Sequence, residues 1–249
     1  MSLPEALLAH WLAWTGASAG QLARLGSAVA DAAAVTVVGS PARDQPGWDG
    51  ELHQVTGVVD PRGQAVLSVP PAWLEAARRV ASDGADLDRV RHALPVAVGK
   101  ADQVLYRAVY RWCEVPAGAD ALPDVGEWLP YEDPRVPEWL HPFGGDALVV
   151  LDEKGGYLAG LGLKRHDQYV HEIAIGTTEA ARGRGLARRL TARAARELLA
   201  QGIVPTYMHD PRNLASAKVA DAAGLPDRGW GALGIANLAE VTEAATSDR

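Results

Sequence analysis

One short stretch, Arg182-Gly183-Arg184-Gly185, limits what this 249-residue chain can fold into more than any other. Ahead of it an apolar strand pattern runs over 168–175. Behind it Leu186, Leu190, Ala194 and Leu198 recur at helical spacing, with Arg188, Arg189, Arg193 and Arg196 on the remaining faces. Two glycines at a strand-to-helix junction allow a tight turn, aim several unpaired N–H groups at one point and set a helix dipole behind them. Such a junction is a cradle for a diphosphate. Its spacing is not that of a dinucleotide fold, because the third glycine of G-x-G-x-x-G is replaced by Arg188, and this disfavours a nicotinamide cofactor.

The chain divides at a Pro/Gly/Asp-rich passage over 114–124 that reads as a linker, giving an N-terminal α/β domain over 1–116 and a second domain over 117–249. The first half predicts helix over 4–33, broken near Thr15-Gly16, and a strand over 35–38. A hairpin of 52–59 and 64–69 turns on Asp60-Pro61-Arg62-Gly63. Helices over 71–82 and 86–92, a strand over 95–98 and a helix over 101–111 follow. The second half predicts strands over 147–152, 157–163 and 168–175, then a long helix over 183–200 closed by Gly202. A strand over 204–208, a helix over 214–223 stopped by Gly224 and a strand over 231–235 complete it. The order predicts an α+β fold built on a mixed, mostly antiparallel sheet flanked by helices.

Three segments in sequence order carry a family resemblance. Arg182-Gly183-Arg184-Gly185-Leu186-Ala187 fits the [Gln/Arg]-x-x-Gly-x-[Gly/Ala] signature of the GNAT superfamily of acyl-CoA-dependent N-acetyltransferases. Asn213-Leu214-Ala215-Ser216, followed by Ala223-Gly224-Leu225, is similar to that family's Asn-x-x-Ala/Ser … Gly-Phe pattern. His171-Glu172-Ile173-Ala174-Ile175 resembles the strand before its pyrophosphate loop. The resemblance spans about 128–235. It implies acetyl-CoA as cosubstrate, and transfer of its acetyl group by direct attack to a primary amine of a small molecule or a protein. It implies that the amides of Arg182, Gly183, Arg184, Gly185, Leu186 and Ala187 hold the pyrophosphate. Main-chain groups of the strand Ile173-Ala174-Ile175 take the pantetheine arm, and Asn213 and Ser216 lie beside the cofactor. Asn213 is equally an N-cap.

The family's usual acid, a tyrosine seven residues after the asparagine, is Ala220 here. A thiol of pKa about 8.5 leaves unprotonated at a cost of about 2 kcal/mol at neutral pH, and Tyr207 and His209 are the substitutes within the adjacent strand. Glu172 is the best placed carboxylate for a base, acting directly or through water; its other readings are a structural charge or an anchor for a substrate ammonium. His171-Glu172 does not begin an H-E-x-x-H motif, since position 175 is Ile175, so no metal is implied. With Ala220 in place of the acid, a non-catalytic acyl-CoA-binding sensor or regulatory module is the alternative to an enzyme. The first half lacks a pyrophosphate loop and is either a degenerate copy of the same fold or a cap that sets acceptor specificity.

Composition closes off other classes. A net charge of −7 argues against nucleic acid as a partner. The lone Cys113 excludes a disulfide framework. No apolar run reaches membrane-spanning length, and no basic leader precedes the Leu/Ala-rich first 34 residues. The expected location is cytoplasmic. Eight Trp against a single Phe read mainly as core anchors, and Glu132, Asp133 and Asp146 as charges able to attract a cationic amine.

Overall fold

The computed structural model describes residues 3–26, 35–82 and 85–237. Apolar residues at helical spacing, Leu7 and Trp11 among them, bury one side of α1 (Glu5–Thr15), which Gly16 ends in the left-handed conformation. A capping box between Ser18 and Gln21 opens the one-turn α2 (Ala19–Leu22). The remainder of the helix expected to 33 lies outside the described residues. After β1 (Val35–Gly39), the turn at 60–63 joins β2 (Thr56–Val59) to β3 (Ala65–Val69), with the Asp60 carboxylate accepting the Arg62 and Gln64 amides. Then come α3 (Leu74–Val80), α4 (Leu87–Ala97) and β4 (Gln103–Trp112). The second half holds β5 (Glu127–Leu129), a 3₁₀ segment (Glu138–Phe143), β6 (Ala147–Leu151), β7 (Tyr157–Arg165) and β8 (Val170–Thr177). It continues with α5 (Leu186–Ala200), β9 (Val204–His209), α6 (Leu214–Ala223) and β10 (Gly231–Asn237).

Two expected elements are corrected. Residues 95–98 are not a strand. They end α4, whose buried Leu87, Val90 and Leu94 keep helical spacing through Pro95, in the last turn where little of the helix remains to be disrupted. Residues 101–111 are not a helix. Val104, Tyr106, Val109 and Tyr110 suit a pleated surface, and β4 pairs antiparallel with β10 from Gln103↔Asn237 to Val109↔Gly231. The short β5 and the 3₁₀ segment were not anticipated, being too brief to show a period.

The chain forms two compact units: Met1–Tyr110 with Asp210–Asn213 and Arg228–Arg249, and Arg111–His209 with Leu214–Asp227. They do not follow a single cut at 116/117. In the first unit the strand order is β1-β3-β2-β10-β4, parallel only between β1 and β3, so the last strand among the described residues is an interior strand of this sheet. Its core gathers Val37, Leu67, Val90, Leu94, Leu105 and Leu233.

In the second unit β5, β6, β7 and β8 are antiparallel neighbours and β9 adds parallel to β8, making a mixed sheet in an α+β fold. Leu186, Leu190, Ala194 and Leu198 of α5 bury against Leu161, Leu163 and Ile173 of the sheet. Residues 114–124 are packed rather than a free linker. Leu122 joins that core, Ala117 donates its amide to Ala223, and the Arg196 guanidinium donates to the carbonyls of Ala117 and Leu122 and to the Asp124 carboxylate.

The segment closes against α6 at Gly224, where φ is +91° and a Cβ would lie 2.8 Å from the Val115 carbonyl oxygen and 2.9 Å from the Ala117 nitrogen. Gly224→Ala therefore combines a left-handed backbone with a backbone collision. A loss of about 2–4 kcal/mol is expected, measured by denaturant unfolding; an unchanged midpoint would mean that 114–117 is not held there.

Candidate functional site

The site begins where one strand pair stops. β8 and β9 run parallel with Val170 opposite Val204, His171 opposite Pro205 and Glu172 opposite Thr206, and the ladder ends there. β8 continues to Thr177, paired on its other side with β7, while β9 continues to His209. The β9-facing edge of β8 from Ile173 onward is therefore open, leaving backbone donors and acceptors available to an extended ligand. Ile173 is buried in the core beneath α5, and Ala174 and Ile175 are half-buried.

Beyond β8 a 3₁₀ turn (Glu179–Ala181) leads into the glycine loop. Gly183 and Gly185 take φ of +76° and +73°, and Gly185 is the N-cap of α5. At Gly183 a Cβ would meet nothing within 4 Å, so the loop faces open space. The first amide of this helix bonded to a carbonyl within it is Arg189, to Gly185 at 3.3 Å, which leaves the preceding N–H groups at the helix's positive end. No acidic residue occupies the first turn of α5. Arg182, Arg184 and Arg188 are exposed around the loop, Leu186 anchors it in the core, and Ala187 is half-buried. The residues fit a diphosphate.

Side-chain alternation splits the three candidate catalysts between the sheet's faces. Glu172 and its partner Thr206 share one face, whereas Tyr207 and His209 lie on the face carrying α6. Glu172 is 3% exposed and receives Lys164 Nζ at 2.6 Å and His166 Nε2 at 3.2 Å. Burial pushes its carboxyl up, but the His166 hydrogen bond and the Lys164 charge outweigh burial and leave it below the usual carboxylate range.

On the other face the buried Tyr207 phenol is hydrogen-bonded with Ser216; burial raises it above the ordinary tyrosine value against the lowering effects of Ser216 and the Arg111 charge. Arg111, 3% exposed, donates Nε–H to His209 Nε2 at 3.0 Å and Nη1–H to Asp221 and to the Leu225 carbonyl. His209 thus presents its Nε2 lone pair to a guanidinium, which places a neutral ring's proton on Nδ1. Ala220 is fully buried. Asn213 stands directly before α6, its amide bonded to the Asp210 carbonyl at 2.9 Å. Among the described residues no cluster of three or more His, Cys, Asp or Glu is arranged for a metal ion.

Residues 107–224 match the model of the Acetyltransferase (GNAT) family. This stretch is a GNAT acetyltransferase domain. Solved structures with likeness to the chain include a GNAT-family protein from Novosphingobium aromaticivorans, at 20% identity and TM-score 0.42 over 53% of this chain and 64% of that one. A GCN5-related N-acetyltransferase-like protein from Streptococcus suis gives 19% identity and TM-score 0.45 over 59% of this chain and 69% of that one. The chain thus spans less than two thirds of the length of the first of these. No curated protein matches its sequence. No helix among the described residues is long and apolar enough to cross a membrane.

Sequence reasoning missed Arg111, Lys164 and His166. In the sequence Arg111 is simply a charge between Tyr110 and Trp112, and its partners Asp221 and Leu225 lie more than 100 residues away. Lys164 faces Glu172 through the β7–β8 register, which a single sequence does not display.

The depressed Glu172 pKa gives a signed prediction. Its contribution to stability is full above the ordinary glutamate value of about 4.3 and is lost as pH falls through its lower folded value. Lys164→Met leaves a buried carboxylate with His166 alone and should cost about 3 kcal/mol at neutral pH, the low end for a broken buried pair. In the double variant with Glu172→Gln most of that loss should return, as read by thermal unfolding across pH.

Proposed function

We propose that the protein transfers an acetyl group from acetyl-CoA to a primary amine of a small molecule or of a protein, with amine and cosubstrate bound together. The observation that carries this reading is the open edge of β8 running directly into the glycine loop at the N-terminus of α5, inside a GNAT domain. Acetyl-CoA, when bound, supplies a thioester carbonyl for the amine to attack. The amides of 182–187 bind its diphosphate with little net charge, aided by the exposed Arg182, Arg184 and Arg188. The main chain of Ile173, Ala174 and Ile175 orients the extended arm by strand-like pairing, and Asn213 and Ser216 flank the cosubstrate at the start of α6.

Each polar side chain has a limited role. Glu172 is a poor general base, since the His166 hydrogen bond and the Lys164 charge outweigh burial and lower its proton affinity. The amine therefore attacks in its neutral form and loses its proton to water, with the Glu172 cluster fixing the point where β8 and β9 part. His209 is committed through Nε2 to Arg111 and does not take the proton there. Tyr207 fills the function vacated at Ala220. With a pKa above the ordinary value of about 10, its phenol stays protonated at neutral pH and donates a hydrogen bond to the departing sulfur, whose thiol pKa of about 8.5 makes complete transfer uphill. Ser216 holds the phenol in place.

Release of free thiol from acetyl-CoA over a panel of primary amines tests this reading. Gly185→Val should weaken CoA binding about tenfold or more by straining the left-handed N-cap. Tyr207→Phe should lower kcat by about 10–100-fold with little change in CoA affinity. Glu172→Gln should cost less than about tenfold in kcat/KM, while activity rises with pH as the free amine accumulates; a loss of about a hundredfold or more would make Glu172 the base.

The fully buried Ala220 favours a second reading, a CoA-binding module without turnover. Tight CoA binding with no amine-dependent thiol release would establish it.

A further inference from the structure

Away from the acyl cradle the second unit holds a cavity of about 260 Å³ between α5 and the β7–β8 pair. At 1.5 Å per residue its α5 lining, Ala194 to Gln201, lies roughly 12–22 Å along the axis from Leu186, where the glycine loop ends. The cavity has an apolar floor formed by Leu163, Ala194 and Leu198, walled by the Trp128 ring. Trp128 Nε1 donates to Glu197 at 2.7 Å and Arg193 donates to the other Glu197 oxygen at 2.8 Å, so that carboxylate is already satisfied.

The other polar groups at the rim are not. The exposed Asp146 carboxylate and the Gln201 side-chain amide have no hydrogen bond or ion pair among the described residues. Arg165 makes only long contacts through Nη1, at 3.4 Å to the Phe143 carbonyl and 3.5 Å to the Leu163 carbonyl. His171 also lines the cavity, its ring half-buried.

One anionic group without a partner and one cationic group held only by long contacts line one small cavity beside a side-chain amide and an apolar floor. We propose that this cavity is a second binding site, for a free α-amino acid. Its ammonium is received by Asp146, its carboxylate by Arg165, and its side chain by the floor beneath Trp128. A simple anion leaves Asp146 repelled, and a simple amine leaves Arg165 unused. A zwitterion satisfies both signs at once. The site is independent of the acyl-transfer reading, since none of its lining residues belongs to the open edge of β8 or the glycine loop.

Calorimetric titration of the full chain at neutral pH, without CoA, tests the proposal with a panel of L-α-amino acids. The matching amino-acid amides, which lack the carboxylate, and the N-acetyl amino acids, which lack the ammonium, are the controls. At least one amino acid should bind, with both altered forms weaker by about tenfold or more. Asp146→Asn and Arg165→Gln are surface changes that should each weaken binding by a similar factor, and Arg165→Gln should leave the fold and thiol release from acetyl-CoA unaltered. Gly185→Val should leave amino-acid binding intact, which separates this site from an acceptor site. The proposal is overturned if no amino acid binds at millimolar concentration, so that water alone fills the cavity. It is equally overturned by binding that ignores the loss of either ligand charge, that survives both rim substitutions, or that Gly185→Val abolishes.

Discussion

The second unit depends on a parallel ladder that is kept short. Pairing between β8 and β9 stops at Glu172 and Thr206, although both strands continue. Had it run on, the edge of β8 would be consumed by the protein itself and would have nothing left to offer a ligand. The stop coincides with a buried ionic contact, where the Glu172 carboxylate accepts from Lys164 and His166. A buried ion pair of this kind is a weak source of net stability but a strong determinant of arrangement, because any other register leaves a charge uncompensated. Its position at the parting point is consistent with that role.

Much of this was legible in the chain. The glycine loop, the long amphipathic α5 and the order of strands around them follow from punctuation and period, and each matches the structure within a few residues. Local pattern failed where tertiary pairing decides. The stretch containing Val104 and Tyr106 has enough helix-compatible residues to read either way, and only pairing with β10, distant in sequence, makes it a strand. The Pro/Gly-rich 114–124 passage carries linker composition, yet Arg196 and Gly224 hold it to the core. Composition reports where the backbone is free to turn, not whether a cation waits to receive its carbonyls.

At the site the glycine positions were readable because the left-handed backbone at Gly183 and Gly185 demands that residue type. The roles of Glu172, Tyr207 and His209 were not, since each depends on partners contributed by other elements. Lys164 and His166 bind the Glu172 carboxylate and lower its proton affinity. Arg111 occupies the lone pair that would have made His209 reactive. Ser216 gives the buried Tyr207 phenol a partner. A single residue type at a suggestive position thus says little about proton traffic until its neighbours are known.

The strand over Gly231–Asn237 also bears on how the chain matures on the ribosome. It is an interior strand of the first unit, between β2 and β4, yet it is made after every residue of the second unit. The sheet nearest the N-terminus must therefore wait with two strand edges unsatisfied while the later unit is translated and folds. Chains generally fold their N-terminal domains first, and exposed edges are where nascent proteins stick to one another. Here the usual order is reversed in part: the GNAT-containing unit is complete in sequence before the unit that began the chain.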